Sequence, residues 1–242
     1  MVARDDRSRL GRERGDPAYD LLMTVRDYSA IDPAIHARGE EDIAFERRFG
    51  PWAAPTPVEA AAVLAAFPRP WWVCGGYAVE AFTGVVRPHD DLDIGFFRRD
   101  LAVLRQALGD RYDLWSVGSG MLRPLTDTFP DLHERSEQVW IREHAWSPWR
   151  LDLLATEDRD GQWVNKRETS FAAPLEEITW VADDGIRYLA PDLVLAIKAK
   201  LKRPKDDGDL EAALPLLDAP ARHRLRSFLE RQHPHHEWLT RF

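Results

Sequence analysis

An acidic pair set in an apolar run is the feature that most constrains the fold of this chain. In the segment DLDIGFF, Asp91 and Asp93 alternate with aliphatic residues. A strand with this pattern directs both carboxylates to one face and the aliphatic side chains to the core. Upstream, the apolar run WWVCGG ends in Gly75 and Gly76 and is followed by the helical pattern YAVEAF. We therefore predict a strand, a tight turn, a helix and a second, acid-bearing strand, in that order.

A third carboxylate has the same setting. Asp152 lies between leucines in WRLDLLA, residues 149–155, and we predict that this strand lies alongside the strand of Asp93. Converging carboxylates repel one another, and divalent cations with oxygen ligands relieve that repulsion. Two Mg2+ ions held by such acids are suited to an in-line phosphoryl displacement. Glycines without Cβ atoms allow the backbone N–H groups of a helix N-terminus to approach a triphosphate.

Neither motif is specific alone, because most Gly-Gly dipeptides are turns and surface acids alternate by chance. Their order, the fourteen residues between them and the third strand carboxylate together favour a phosphoryl-transfer site. Arg87, just before the acidic pair, is a further candidate for contact with a triphosphate. A solvated loop charge is the alternative interpretation of Arg87.

The remaining pattern indicates an α+β fold, with a small mixed sheet, flanking helices and a helical C-terminal part. Helices are predicted at residues 55–67 and 100–108, and strands at residues 112–117, 138–143 and in the runs EITWVA and IRYLA. From Pro191 onward the pattern is helical, with Asp206 as the expected N-cap of a second helix and a third helix near residues 220–232.

Three regions are predicted along the chain. Residues 1–50 form an N-terminal appendage, with a charged, flexible start of about 16 residues, one short helix around Tyr19 to Val25, and otherwise irregular structure. Residues 51–190 form the α/β core that carries the acids. Residues 191–242 form the C-terminal helical region.

Composition excludes several classes of protein. The single cysteine, Cys74, excludes an internal disulfide and a zinc site of several thiolates, and its apolar setting indicates a buried residue. No apolar run is long enough to span a bilayer, and the charged N-terminus is unlike a secretory signal, so a cytoplasmic location without membrane association is predicted. The net charge of −8 argues against a nucleic-acid partner and favours a small or cationic one.

The motif GGYAVEAFTGVVRPHDDLDIGFF resembles the nucleotidyltransferase superfamily of the DNA polymerase beta type, and most closely its aminoglycoside 2''-adenylyltransferase and lincosamide nucleotidyltransferase-like members. The similarity continues through PWRLDLL, RPKDDGDLEAALPLL and HPHHEW, over roughly residues 57–240. The resemblance implies that Asp91, Asp93 and Asp152 hold the metals, with Asp152 also the acceptor-side base. It implies that Gly75 and Gly76 contact phosphates, and it favours Lys198 and Lys205 as further phosphate contacts. The first 50 residues match nothing in the family pattern.

The resulting hypothesis is a metal-dependent nucleotidyltransferase that uses Mg2+ to move AMP, or another NMP, from ATP or another NTP. The expected acceptor is a hydroxyl of a small antibiotic-like molecule such as an aminoglycoside or lincosamide, which implies a role in antibiotic resistance. Two alternatives remain: transfer to a protein or tRNA, as in toxin-type relatives, and a catalytically silent nucleotide-binding module. The sequence indicates no oligomeric state.

Overall fold

The computed structural model of the protein describes residues 40–242. The predicted flexible start and the short helix around Tyr19 to Val25 lie outside the described residues. Within them, the helices are α1 (Glu40–Phe49), α2 (Pro57–Val63), α3 (Gly75–Thr83), α4 (Leu101–Leu108), α5 (Leu175–Ile178), α6 (Pro191–Lys198), α7 (Pro204–Ala213) and α8 (Ala219–Gln232). Short 3-10 helices cover Leu64–Ala66, Arg98–Asp100, Leu214–Leu216 and Glu237–Arg241.

The described strands form two sheets. The strands are β1 (Trp71–Val73), β2 (Asp93–Phe97), β3 (Asp113–Gly118), β4 (Met121–Pro124), β5 (Gln138–Arg142), β6 (Leu151–Thr156), β7 (Asp158–Arg159), β8 (Gln162–Val164), β9 (Ala172–Ala173), β10 (Thr179–Val181) and β11 (Arg187–Leu189). The main sheet has the order β10-β11-β1-β2-β6-β5-β3-β4, and β7-β8-β9 form a small second sheet. In the main sheet β1–β11 and β2–β6 are parallel and the other pairs antiparallel. The α+β class with a mixed sheet is thus confirmed.

The predicted strand, turn, helix and strand are present as β1, α3 and β2. The aliphatic residues of the acidic segment, Leu92 and Ile94, are fully buried, as the alternation predicts. Cys74 is also buried, in agreement with its apolar setting. The helix predicted at residues 55–67 is α2 with its 3-10 extension, and the side chain of Thr56 forms a capping box with Glu59.

Helix α1 was not expected, because its sequence EEDIAFERRF was interpreted as irregular and acidic. The ring of Phe45 lies 5.7 Å from that of Trp140, and the carbonyl of Phe49 accepts a 2.7 Å hydrogen bond from Trp149 Nε1. Tertiary contact with the tryptophans of the sheet stabilises α1, whose sequence is mostly charged and too short to be stable as an isolated helix. The boundary predicted at residue 50 stays a prediction, and α1 packs on the region that follows it.

The chain from Pro191 onward is helical in α6, α7 and α8, as the pattern predicts. One detail is wrong: Asp206 is not the N-cap of α7 but lies in its first turn, where its carboxylate accepts a 3.0 Å hydrogen bond from the backbone N–H of Arg203. Pro204 fixes the first helical position, and the cap therefore falls on the residue before it. No helix within residues 40–242 is long and apolar enough to cross a membrane.

Candidate active site

The three candidate acids meet at the boundary between β2 and β6. These strands are parallel, and their register places Asp93 directly beside Asp152. Asp91 precedes β2 by two residues, and one carboxylate oxygen from each of the three acids lies within 4.8 Å of the others. The structure thus brings together the three acids that the sequence singled out, and the strand of Asp152 lies beside the strand of Asp93 as predicted.

The three acids differ in how deeply they are buried. Asp152 is 4% exposed, whereas Asp93 is half-buried and Asp91 is exposed. Burial, together with the charge of Asp91, raises the pKa of Asp93 from its ordinary value of 3.8 to about 7. Burial and the charges of Asp93 and Asp91 also raise the pKa of Asp152 well above that value. The fold therefore holds carboxylates together at a cost in free energy whenever they are ionised.

This cost predicts a pH-dependent effect of Asp93→Asn on the metal-free protein. The folded pKa of Asp93 exceeds its unfolded value, so its protonated form stabilises the fold, and that contribution is lost as pH rises from about 4 through about 7. Asparagine does not ionise, so the Asp93→Asn variant does not lose stability in this way as pH rises. We therefore expect its Tm to exceed that of the native protein at pH 8, with a smaller difference at pH 5, in thermal scans with chelator. Asp110→Asn, at an exposed turn, is the control, and a pH-independent difference for Asp93→Asn would contradict the account.

The two oxygens of Asp152 have different surroundings. Oδ2 accepts a hydrogen bond from Nε2 of Gln138, whereas Oδ1 is buried without a donor in hydrogen-bond geometry among the described residues, although the side chain of Trp140, opposite Asp152 on β5, is close enough to lower the pKa of Asp152. Within residues 40–242, no lysine or arginine forms an ion pair with any of the three acids. A buried acceptor without a donor is costly, so Asp152 Oδ1 indicates a missing electropositive partner.

The donor set fits a divalent cation. All three groups offer carboxylate oxygen, which is the ligand type preferred by Mg2+. Asp91, Asp93 and Asp152 are the residues that would hold such an ion. The three-acid group is thus consistent with a metal site, as the sequence predicts.

The glycine pair forms the N-terminus of α3 beside the acids. Gly75 has a φ of +62°, and a Cβ atom built on it would lie 2.1 Å from Oδ2 of Asp93. Only glycine allows this backbone to approach the carboxylate so closely. No side chain caps α3 at Cys74, and the first N–H groups of a helix have no acceptor within the helix. The positive end of the helix therefore adjoins the three acids.

The candidate cations lie at the same cleft, with buried acidic partners. Arg87 packs against Gly76 and forms a two-point ion pair with Asp209 at 2.8 and 3.0 Å. Lys198 is buried, and its Nζ lies 2.9 Å from oxygens of both Asp206 and Asp209. These carboxylates hold Arg87 and Lys198 in fixed positions. Direct contact of either cation with phosphate stays a prediction.

Lys205 differs from the two buried cations. Its Nζ lies 3.3 Å from Asp90, which is largely exposed. An exposed ion pair of this kind contributes little free energy and exchanges partners easily. Lys205, Lys198, Arg87, the glycine pair and the three acids all line a single cleft of about 500 Å³.

Some cleft residues were not found from the sequence. Gln138 was assigned to a strand but not to the site, and Asp209 was not among the candidate site residues. Alternation along β5 is the one sequence pattern that could have predicted that Gln138 lies on the same face of the sheet as Asp152. Arg87 and Asp209 are 122 residues apart in the chain, and no local pattern predicts their ion pair.

Residues 58–112 match the sequence model of the family described as aminoglycoside-2''-adenylyltransferase. A search of curated protein sequences gave no match.

Solved structures with similar chain folds include the crystal structure of ANT(2'')-Ia in complex with adenylyl-2''-tobramycin. It has a TM-score of 0.49 and 18% identity, with 73% of this chain and 98% of that chain covered. The solution structure of ANT(2'')-Ia has a TM-score of 0.46 and 15% identity, covering 74% of this chain and 90% of that one. The crystal structure of the lincosamide antibiotic adenylyltransferase LnuA, lincomycin-bound, has a TM-score of 0.45 and 15% identity. The match covers 66% of this chain and 94% of that chain.

The matched segment contains the glycine turn, α3 and two of the three acids, while Asp152 lies beyond it. Residues 58–112 are therefore similar in sequence to the aminoglycoside-2''-adenylyltransferase family, and the resemblance predicted from the motif is confirmed there.

Proposed function

We propose that this protein is a divalent-metal-dependent nucleotidyltransferase that moves AMP, or another NMP, from an NTP to a hydroxyl group of a small molecule. The observation that carries the proposal is the in-register pairing of Asp93 with Asp152, with Asp91 close by and a glycine-initiated helix N-terminus beside them. The family match of residues 58–112 supports the same reaction class.

The donor triphosphate is proposed to bind at the N-terminus of α3. The N–H groups that follow Gly75 carry the positive end of the helix dipole, and neither glycine has a Cβ that would keep a phosphate away. Arg87 and Lys198 extend this positive surface, and Asp209 fixes the direction of both cations. Lys205 has an exposed partner, Asp90, and a weak exposed ion pair is readily replaced by contact with a phosphate oxygen.

The three acids are proposed to hold Mg2+. A divalent ion bound there supplies electrostatic stabilisation for the charge that develops on the phosphoryl group, the attacking oxygen and the leaving oxygen. Gly75 leaves the carboxylate of Asp93 unobstructed, and Gln138 fixes the orientation of Asp152 through its hydrogen bond to Oδ2.

In the transfer step the acceptor hydroxyl oxygen forms a bond to the α-phosphorus of the NTP, and the bond from that phosphorus to the bridging oxygen of the β-phosphate breaks. Pyrophosphate leaves, and the hydroxyl proton passes to the carboxylate of Asp152. Asp152 is proposed for this role because its carboxylate lies beside the other two acids in the cleft and Gln138 holds only one of its two oxygens. Asp91, exposed at the cleft edge, and Asp93 face the donor side.

The first test is the metal dependence of nucleotide binding. We expect the affinity for a non-hydrolysable ATP analogue, measured by calorimetry, to fall about tenfold or more when Mg2+ is replaced by chelator, since the acids repel the triphosphate without the ion. Asp91→Asn is expected to weaken the Mg2+-dependent part of the affinity. Asp110→Asn, which removes one exposed charge outside the cleft, is the matched control.

Equal affinity with Mg2+ and with chelator would contradict the metal-centred site. Binding of nucleotide without transfer to any acceptor would favour the silent nucleotide-binding alternative. Label from radioactive ATP on protein or tRNA, and on no small molecule, would favour a macromolecular acceptor.

A further inference from the structure

Trp140 lies on the sheet face that carries the acids. It is directly opposite Asp152 in the antiparallel pairing of β5 with β6. Residues opposed in this way direct their side chains to the same face, with Cβ atoms about 5 Å apart. Gln138, two residues earlier on β5, also lies on this face and donates a hydrogen bond to Oδ2 of Asp152. Two successive side chains on one face of β5 thus adjoin the same carboxylate.

Trp140 and Asp152 each contain a buried polar atom without a partner. Among the described residues, the indole Nε1 of Trp140 has no acceptor in hydrogen-bond geometry, and Oδ1 of Asp152 has no donor. Burial and the charges of the other two acids raise the pKa of Asp152, and the indole of Trp140 opposes that increase. Leaving a buried donor and a neighbouring buried acceptor both unpaired is costly in free energy, so hydrogen bonding between the two is favoured.

Other aromatic rings surround the indole of Trp140. Its ring centroid lies 4.9 Å from that of Trp52, 5.3 Å from that of Trp149 and 5.7 Å from that of Phe45. All three contacts are edge-to-face, an arrangement that is favourable and depends on ring orientation. This aromatic cluster therefore restricts the direction in which the indole N–H points.

Two rings of the aromatic cluster come from the chain that precedes the family match. Phe45 is in α1 and Trp52 is in the segment after it, whereas the sequence similarity to the family covers only later residues. The backbone of this segment also bonds to the chain just before β6. The N–H of Trp149 donates to the carbonyl of Pro51, and the N–H of Ala53 donates to the carbonyl of Trp149, both at 2.9 Å. Rings and backbone therefore connect this segment to the strand of the third acid.

We propose that Trp140 is the positioning residue of Asp152, with its indole N–H donating to Oδ1. Phe45 and Trp52 hold the indole in that direction. The inference rests on the proposed function, in which Asp152 binds Mg2+ and accepts the proton. Each oxygen of an ionised carboxylate has two lone pairs, so Gln138 and Trp140 each use one and leave the others for these two roles. Residues that orient a metal-binding carboxylate in this way typically cost about 10- to 100-fold in metal affinity or activity when replaced.

Trp140→Phe keeps an aromatic ring in the cluster and removes the N–H. We expect kcat for AMP transfer to tobramycin or lincomycin, whichever the native protein modifies, to fall by about tenfold or more. The affinity for the ATP analogue with Mg2+, measured by calorimetry, is expected to change by less than about threefold, because the donor side of the site is untouched. Trp115→Phe is the matched control. Trp115 lies opposite Trp140 on β3, further from Asp152, and its Nε1 is also buried without a partner among the described residues.

A thermal-unfolding comparison provides a second readout that requires neither turnover nor metal. The loss of Tm caused by Trp140→Phe is measured with chelator in the native protein and in Asp152→Ala. The lost ring packing is common to both backgrounds, so the difference reports the contact between the two side chains. We expect the loss to be larger in the native background by about 2 to 4 °C, the size of one hydrogen bond in a chain of this length. Trp115→Phe is expected to lower Tm equally in both backgrounds.

The contribution of α1 is tested by Phe45→Ala. We expect kcat to fall by about threefold or more without a comparable loss of nucleotide affinity, because the indole of Trp140 loses one of the rings that orient it. Ile43→Ala, at an exposed position of the same helix, is the control and is expected to retain kcat. Equal kcat in the two variants would overturn the role of α1.

The outcomes separate this inference from the proposed function. If the native protein is active, unchanged kcat in Trp140→Phe would overturn the inference and leave the nucleotidyltransferase proposal intact. Equal losses of Tm in the native and Asp152→Ala backgrounds would also overturn it. Metal-independent nucleotide binding would contradict the proposed function, and the Tm comparison would then still decide whether Trp140 bonds to Asp152.

Discussion

Replacing Asp152 by asparagine is expected to lower kcat by about a hundredfold or more. The substitution keeps the shape of the side chain and its contact with Gln138, but it removes the charge and the proton-accepting oxygen. Loss of a general base alone lowers rates by roughly 10² to 10⁴. The affinity for the metal–nucleotide complex is expected to change far less, because Asp91, Asp93 and the N-terminus of α3 remain. Steady-state kinetics and calorimetry measure the two effects separately.

Thr156→Val provides a matched control for Asp152→Asn. Thr156 lies on the same strand and lines the same cleft, but it is not one of the three acids. Its variant is expected to retain most of kcat. If Asp152→Asn instead lost nucleotide affinity and kept kcat at saturation, Asp152 would serve the donor, and the base would be another residue. Full activity of Asp152→Asn would remove it from the site.

Gly75→Ala is expected to abolish metal-dependent nucleotide binding, with a loss of about a hundredfold or more. The new Cβ would lie 2.1 Å from Oδ2 of Asp93, so either the carboxylate or the start of α3 must move. The positive φ of +62° adds strain of about 1 kcal/mol for a residue with a Cβ. Both effects act where the triphosphate and metal are proposed to bind. Calorimetry with the ATP analogue measures the affinity, and thermal unfolding measures the stability.

The other end of the same helix offers the control for Gly75→Ala. Gly84 has a φ of +71°, and no atom lies within 4 Å of a Cβ built on it. Gly84→Ala therefore introduces comparable backbone strain without a collision. We expect both variants to lose a similar amount of stability and only Gly75→Ala to lose nucleotide binding. Loss of binding in both variants would show that strain in α3, rather than the approach to Asp93, controls the site.

Local patterns predicted the elements that carry the site. Alternation around Asp93 and Asp152 predicted two strands with buried leucines, and both exist. The glycine pair predicted a turn that begins a helix, and Gly75 has the required positive φ. These features depend on side-chain periodicity and backbone sterics, which act between residues close in sequence.

Other features had no local signal. Helix α1 packs against Trp140, and its own sequence is mostly charged, which gave little indication of a buried helix face. The strands β4 and β7 to β9 are short, so alternation over two to four residues did not distinguish them from loops. The capping position of α7 was misassigned because Asp206 serves equally well as a cap or in the first turn, and Pro204 decides between the two.

The sequence by itself determined the candidate site residues: Asp93 and Asp152 in apolar strands, Asp91 just before the first of these strands, and a glycine pair at a helix start. The tertiary structure decided how they are used. Parallel pairing of β2 with β6 fixed the register that puts Asp93 beside Asp152. Burial then raised the pKa of both carboxyls. The charge of the cleft was decided in the same way, because ion pairs such as Arg87–Asp209 join residues from distant segments, and a net charge counted along the chain contains no information about which charges face one another.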